Sequence, residues 1–252
     1  MNRIFRQRLE KGDALIGTII SLPATEVAEI MSLAGLDWLF VDMEHTALDF
    51  QATQQILQAV DSRTPCIVRV PSSHEAWFKK CLDMGATGIM APQINSVQQA
   101  EQVVRACKYP PLGERSVGIS RAHGYGMAFR EYMEIADEVA IIVQIEHIDA
   151  VNEIEGIVQV PGIDALFIGP YDLSASLGKT GRFDDPEVQA AIGRVQDCAL
   201  GADMPLGIFG ANVAAVENSV ELGYRLIAVG LDTLLLGDAA RAIVSALRRP
   251  EA

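Results

Sequence analysis

Short apolar runs rich in β-branched residues recur eight times along the 252-residue chain, and longer stretches of helical period separate them. The runs are IGTIIS (16–21), WLFVDM (38–43), PCIVRV (65–70), GIMAPQ (88–93), AIIVQI (140–145), ALFIGP (165–170), PLGIFG (205–210) and RLIAVG (225–230). Between them lie amphipathic stretches such as TEVAEIMSLAG (25–35), FQATQQILQAV (50–60), SVQQAEQVVRACK (96–108) and NVAAVENSVELG (212–223). Helix-period segments between short apolar runs predict βα units around a parallel sheet. Eight such units predict an α/β fold that closes on itself, a (β/α)8 TIM barrel over residues 1–252 as one domain.

An internal repeat agrees with that count. Gly35, Gly85, Gly162 and Gly223 each stand a few residues before an apolar run, and they introduce the second, fourth, sixth and eighth runs. Glycine at that place suits the left-handed position just past a helix end. Residues 109–130, YPPLGERSVGISRAHGYGMAFR, break the rhythm. A segment of about 20 residues without a period, inside a compact barrel, points to a functional or interface loop.

Composition narrows the partners. Half of the residues are apolar, yet no run of about 18 apolar residues could span a bilayer. The apolar surplus therefore folds inside, as it does where parallel strands are buried on both faces. With 20 Lys+Arg against 33 Asp+Glu the formal net charge is −13, which argues against a nucleic-acid partner. The start, MNRIFRQRLEKGD, has no apolar secretory stretch, and Cys66, Cys81, Cys107 and Cys198 show no metal spacing. A reducing, cytoplasmic setting without membrane attachment is expected.

In an eight-stranded barrel, catalytic groups stand at the C-terminal ends of the strands. The polar residues there are Asp42, Glu44, His45, Arg69, Gln93, Gln144, Glu146, Asp172, Asn212 and Asp232. None of the five lysines ends a strand, so a Schiff-base mechanism has no amine to use. Nor does a Gly-rich phosphate cradle follow any strand. Glu146 and Asp172, on neighbouring strands, form a carboxylate pair suited to a hard divalent cation with open positions. Both have a second reading: Asp172 suits an N-cap, and Glu146 a first helical turn. His45 is the preferred acid/base candidate. Arg69 ends an apolar strand, so its guanidinium must face a carboxylate of the protein or of a ligand.

Leu39-Phe-Val-Asp-Met-Glu-His45, Val68-Arg-Val-Pro71, Val143-Gln-Ile-Glu146, Leu166-Phe-Ile-Gly-Pro-Tyr-Asp-Leu-Ser174 and Tyr109-Pro-Pro-Leu-Gly with Arg115 stand in a familiar order. From about Gly17 to the C-terminus the chain resembles the HpcH/HpaI family of class II pyruvate aldolases, which act on 4-hydroxy-2-oxo acids. The resemblance implies a barrel of the phosphoenolpyruvate/pyruvate-binding type. It implies that Glu146 and Asp172 hold a divalent metal ion (Mg2+, Mn2+ or Co2+), and that Gln144, Asp172 and the backbone around Tyr171 contact the 2-oxo acid. His45 would take the proton of the 4-hydroxyl, Arg69 would stabilise enolate charge, and an aldehyde would leave. Asp83 would raise the basicity of His45.

Asp83 precedes the fourth strand, whereas His45 follows the second. A six-residue strand spans roughly 20 Å, so the two cannot meet within one barrel. If the pair forms, it forms between subunits; a homo-oligomer with shared active sites is expected, and the resemblance implies a hexamer. Two departures stand out: Met43 replaces the Gly of a D-G-E-H string, and Ile19 replaces a Trp common in strand one. Both are expected to alter the aldehyde pocket. Two alternatives remain beside the aldolase: a citrate-lyase-like metal enzyme of the same superfamily, and a non-catalytic carboxylate-binding barrel.

Overall fold

The structure, a computed structural model, describes residues 2–248. Eight parallel strands form a closed barrel in sequential order: β1 (Leu15–Ile20), β2 (Trp38–Asp42), β3 (Cys66–Arg69), β4 (Gly88–Ala91), β5 (Ala140–Ile145), β6 (Ala165–Ile168), β7 (Leu206–Gly210) and β8 (Leu226–Leu231). Its helices are α1 (Asn2–Glu10), α2 (Thr25–Leu33), α3 (Phe50–Val60), α4 (Glu75–Asp83), α5 (Val97–Cys107), α6 (Phe129–Ile135), α7 (Ile148–Asn152), α8 (Ile154–Ile157), α9 (Pro170–Ser176), α10 (Pro186–Gly201) and α11 (Asp232–Leu247).

Side chains alternate along each strand, so one parity faces the barrel axis and the other the helices. On β2, Trp38 and Phe40 join the interior cluster, whereas Leu39 and Val41 join the larger core under the helices. Trp38, Phe40 and Phe167 fill the axis, with ring centroids 5.8 to 6.4 Å apart. At the N-terminal end of the barrel α1 acts as a plug, burying Phe5 and Leu9 in the same interior cluster. The axis is therefore packed below and open only at the C-terminal ends of the strands.

The four repeat glycines lie in the left-handed region, at φ +88° (Gly35), +92° (Gly85), +97° (Gly162) and +94° (Gly223). Each turns the chain into the strand that follows.

Three regions differ from the expectation. Residues 212–223 form no α-helix: a 3-10 turn spans Val213–Ala215 and further turns continue to Gly223. Bonds from Val216 to Val213 and from Ser219 to Val216 hold it at three-residue spacing, and a Cβ on Gly210 would lie 2.5 Å from Val216. The chain is pressed too close to β7 for a full α-helical diameter. Residues 109–130 are ordered by a 3-10 helix over Arg121–Gly126, and α6 begins inside them. Met43 points into the core behind β2, its Sδ 3.7 Å from the Cys81 Sγ, because its parity is opposite to that of Asp42. It does not touch the mouth of the barrel, whereas Ile19 does.

The last helix departs from the barrel wall. Asp232 is its one buried residue, and Leu235, Leu236, Ile243, Val244 and Leu247 are exposed. Among the described residues, no helix is long and apolar enough to cross a membrane.

Candidate active site

The inward parity of β2, β3 and β5, followed upward, ends in Asp42, Arg69, Gln144 and Glu146, so one alternation that packs the axis also aims charged groups at its mouth. A cavity of about 450 Å³ opens there, floored by Phe40 and Phe167.

Asp42 and Arg69 are register partners on β2 and β3. The Arg69 Nε and Nη2 donate to the two Asp42 carboxylate oxygens at 2.8 Å each, and the guanidinium lies 5.0 Å from the Phe40 ring centroid. Burial opposes the Arg69 charge, but the Asp42 bonds and the charges of Asp42, Glu44 and Glu146 outweigh it and hold its pKa above the ordinary value. The Glu44 Oε2 approaches the Arg69 Nε at 3.3 Å and the His45 Nε2 at 3.7 Å. His45 itself is 62% exposed and borders the cavity.

Glu146 is fixed from two sides. Its Oε1 accepts from the Gln93 N–H at 2.7 Å, and its Oε2 accepts from the Gln144 Nε2. Gln93 presents that N–H from a left-handed conformation, φ +56°. Burial, then the charges of Glu44 and Asp172, raise the Glu146 carboxyl to about 7 against the bond from Gln93. Burial likewise raises Glu44, despite Arg69. Two buried oxygens in this cluster accept no hydrogen bond, the Glu44 Oε2 and the Gln144 Oε1.

Asp172 and Tyr171 come from the first turn of α9, directly after β6, and both line the cavity. Pro170 opens that turn, and the first helical N–H groups have no intrahelical acceptor. Gly169 permits the close approach of the turn: a Cβ there would lie 2.7 Å from the Gln144 Nε2 and 2.9 Å from the Glu146 Oε2.

His45, Arg69, Gln144, Glu146, Tyr171 and Asp172 are thus gathered at one mouth. Asp83 is not among them. It ends α4 at the opposite face and accepts from the buried Arg115 Nη2 at 2.6 Å.

Of the other strand-end residues, Asp232 is fully buried and bonded to backbone N–H groups, and Asn212 caps the 3-10 turn after β7. His147 caps α7 in the same way. Sequence reading assigned no role to Glu44, to the Gln93 backbone or to Gly169. The two-residue spacing of Asp42 and Glu44 was a usable signal, whereas nothing in a glutamine foretells a left-handed backbone.

Comparison with known proteins follows the geometry closely. Residues 17–239 match the model of the family described as HpcH/HpaI aldolase/citrate lyase. The hydroxypyruvate/pyruvate aldolase of Paraburkholderia phytofirmans is 40% identical over 96% of each chain. A 2-dehydro-3,6-dideoxy-6-sulfogluconate aldolase of Pseudomonas putida is 36% identical over 97% of this chain and 96% of that one. The crystal structure of a protein of the same family from Burkholderia cenocepacia superposes with a TM-score of 0.94 at 36% identity, covering 98% of this chain and all of that one.

Proposed function

The chain belongs to the HpcH/HpaI aldolase/citrate lyase family, and from that premise we propose how its barrel mouth works as an aldolase. The enzyme is a carbon–carbon lyase that reversibly cleaves a 4-hydroxy-2-oxo acid to pyruvate, or a related 2-oxo acid, and an aldehyde. The observation that carries our assignment of roles is the convergence of Asp172, Arg69 and His45 around one cavity with an aromatic floor, with Glu146 bonded to its lining residue Gln144.

A hard divalent cation, Mg2+, Mn2+ or Co2+, suits this donor set. Glu146 and Asp172 would hold it, since both offer carboxylate oxygens, and the Gln144 Oε1 beside Glu146 accepts no hydrogen bond. Gly169 keeps the approach to Glu146 clear. Among the described residues no cluster of three or more His, Cys, Asp or Glu forms a cage, so water and the 2-oxo acid itself would complete the shell. Bound there, the cation supplies a Lewis acid for the 2-oxo oxygen.

The protein's own groups do the rest. Asp42 occupies the Nε–Nη2 edge of the Arg69 guanidinium, leaving Nη1 for the 2-oxo acid. The free N–H groups at the start of α9 receive the substrate carboxylate. The His45 Nε2 takes the proton from the 4-hydroxyl. As that O–H bond is lost the C3–C4 bond breaks, its electron pair moves onto C3 and the 2-oxo oxygen, and the C4–OH becomes the aldehyde carbonyl. Arg69, already fixed by Asp42, faces the developing enolate charge without reorganising. Protonation at C3 then yields pyruvate.

Asp83 acts, in this reading, from a second copy of the chain, orienting His45 across the interface. The exposed apolar side of α11 supports a homo-oligomer. Four unpaired cysteines fit a cytoplasmic setting. A citrate-lyase-like reading would need several cations for a coenzyme A phosphate chain, and Arg69 is the one Lys or Arg lining the cavity.

The test is release of pyruvate from 4-hydroxy-2-oxo acids in the presence of Mn2+, with EDTA abolishing it and fresh metal restoring it. Release unaffected by EDTA would overturn the metal role, and no release from any such acid would overturn the substrate class.

A further inference from the structure

The Tyr109-Pro-Pro-Leu-Gly stretch and Arg115 stand away from the mouth, yet they form one built device. Leu112 and Gly113 fold back on the Tyr109 carbonyl, and the N–H groups of Glu114 and Arg115 donate to the carbonyls of Arg105 and Lys108 at 2.7 and 2.9 Å. The chain is laid so close against the end of α5 that a Cβ on Gly113 would collide with both of those carbonyl oxygens. Glycine is the residue that fits there. Arg115 is thereby sent inward across the Tyr109 ring, its guanidinium carbon 4.5 Å from the centroid.

The Arg115 side chain is 0% exposed, and Asp83 is the one carboxylate it meets among the described residues, Nη2 donating to Oδ1 at 2.6 Å. Nη1 faces the Tyr132 hydroxyl at 3.4 Å, and Nε makes no hydrogen bond. A buried ion pair adds little stability over apolar side chains of the same volume. What this one fixes is the carboxylate. Asp83 closes α4, where the helix dipole disfavours a negative charge, and its side chain is 25% exposed. Arg115 holds that charge in place by one oxygen and leaves Oδ2 for a donor from outside.

The surroundings suit a second copy of the chain. Arg121, on the same segment, ties it to the end of α4 by donating to the Met84 carbonyl at 2.9 Å. Ile119 and Met127, also on it, are 74% and 87% exposed.

We propose that Arg115 is a positioning residue of the aldolase: it holds Asp83 so that Oδ2 accepts from the Nδ1–H of His45 of the partner subunit, which leaves Nε2 of that imidazole as the base. The inference rests on the reading that Asp83 serves a neighbouring mouth, and it names the group that fits Asp83 for the task. Arg115 and Asp83 then belong to one half of each shared site, and His45 to the other.

The experiment is subunit exchange among Arg115→Met, Asp83→Asn and His45→Ala proteins, each first checked for assembly by gel filtration. Arg115→Met is expected to lower kcat at least about tenfold with KM for the 2-oxo acid unchanged. Exchanged with His45→Ala, it should regain activity above the mean of the two parents, because one class of site then carries no lesion. Exchanged with Asp83→Asn, it should regain nothing, because each shared site takes Asp83 and Arg115 from one damaged copy. A residue acting on its own mouth would give the reverse pattern. Arg115→Lys, which cannot lie across Tyr109 and reach Asp83 in the same way, is read identically if the Met variant does not assemble. Native kcat in the variant read, or recovery with Asp83→Asn, would overturn this inference alone. No recovery between His45→Ala and Asp83→Asn would overturn the reading beneath it, and this inference with it.

Discussion

Asp42 is 3% exposed and its only cation is held by two bonds, so the Arg69 side chain is structural as well as chemical. Removing one partner of a buried ion pair costs about 3 to 5 kcal/mol, because the other charge stays behind. Arg69→Ala is therefore expected to lose about 3 kcal/mol in urea unfolding together with all activity; a loss below about 1 kcal/mol would contradict the pairing. Gly169→Ala should act differently. Its Cβ would push on the Glu146 carboxylate from 2.9 Å, so the fold is expected to survive while Mn2+ affinity drops about tenfold or more, read by calorimetric titration. That an arginine ending an apolar strand needs a carboxylate was legible in the sequence. Which carboxylate was not, because Asp42 meets Arg69 only through strand register, and register is set by closure of the whole barrel.

At the scale of elements, the four glycines that enter β2, β4, β6 and β8 separate conformational cost from crowding. A Cβ on Gly35 would meet nothing within 4 Å, whereas one on Gly162 would lie 2.8 Å from the Val104 Cγ1. Gly35→Ala is expected to cost about 1 kcal/mol, the left-handed penalty alone. Gly162→Ala is expected to cost visibly more in the same thermal or urea titration, and equal costs would contradict this account.

The strands were legible to within one or two residues, since eight β-branched runs bounded by turns leave little freedom. The region 212–223 was not, because its apolar spacing suits three or four residues per turn equally, and contact with β7 decides between them. The mouth was legible through parity: inward positions of β2, β3 and β5 end in polar groups. Parity also corrects the reading of Met43, which lies one residue off and so faces the helices.

For the whole molecule, burial predicts thiol chemistry. Burial pushes the thiols of Cys66, Cys81 and Cys107 up to about 12, while Cys198 is only partly buried. A native protein treated with an aromatic disulfide reagent at pH 8 is expected to label Cys198 alone, with the other three following at the rate of unfolding. Fast labelling of all four would show the core to be open. Assembly has its own test. If Asp83 of one copy serves His45 of another, His45→Ala and Asp83→Asn proteins, each inactive, should regain activity when their subunits are exchanged. No recovery in mixed oligomers would remove Asp83 from the site.

The central claim is that the charged groups at the mouth activate a 2-oxo acid before any aldehyde is involved. Proton NMR of pyruvate in D2O with the protein and the diamagnetic Mg2+ tests it most directly. The account predicts loss of the methyl signal that stops with EDTA and is absent in Glu146→Gln. A methyl signal that persists unchanged with protein and metal present would contradict it.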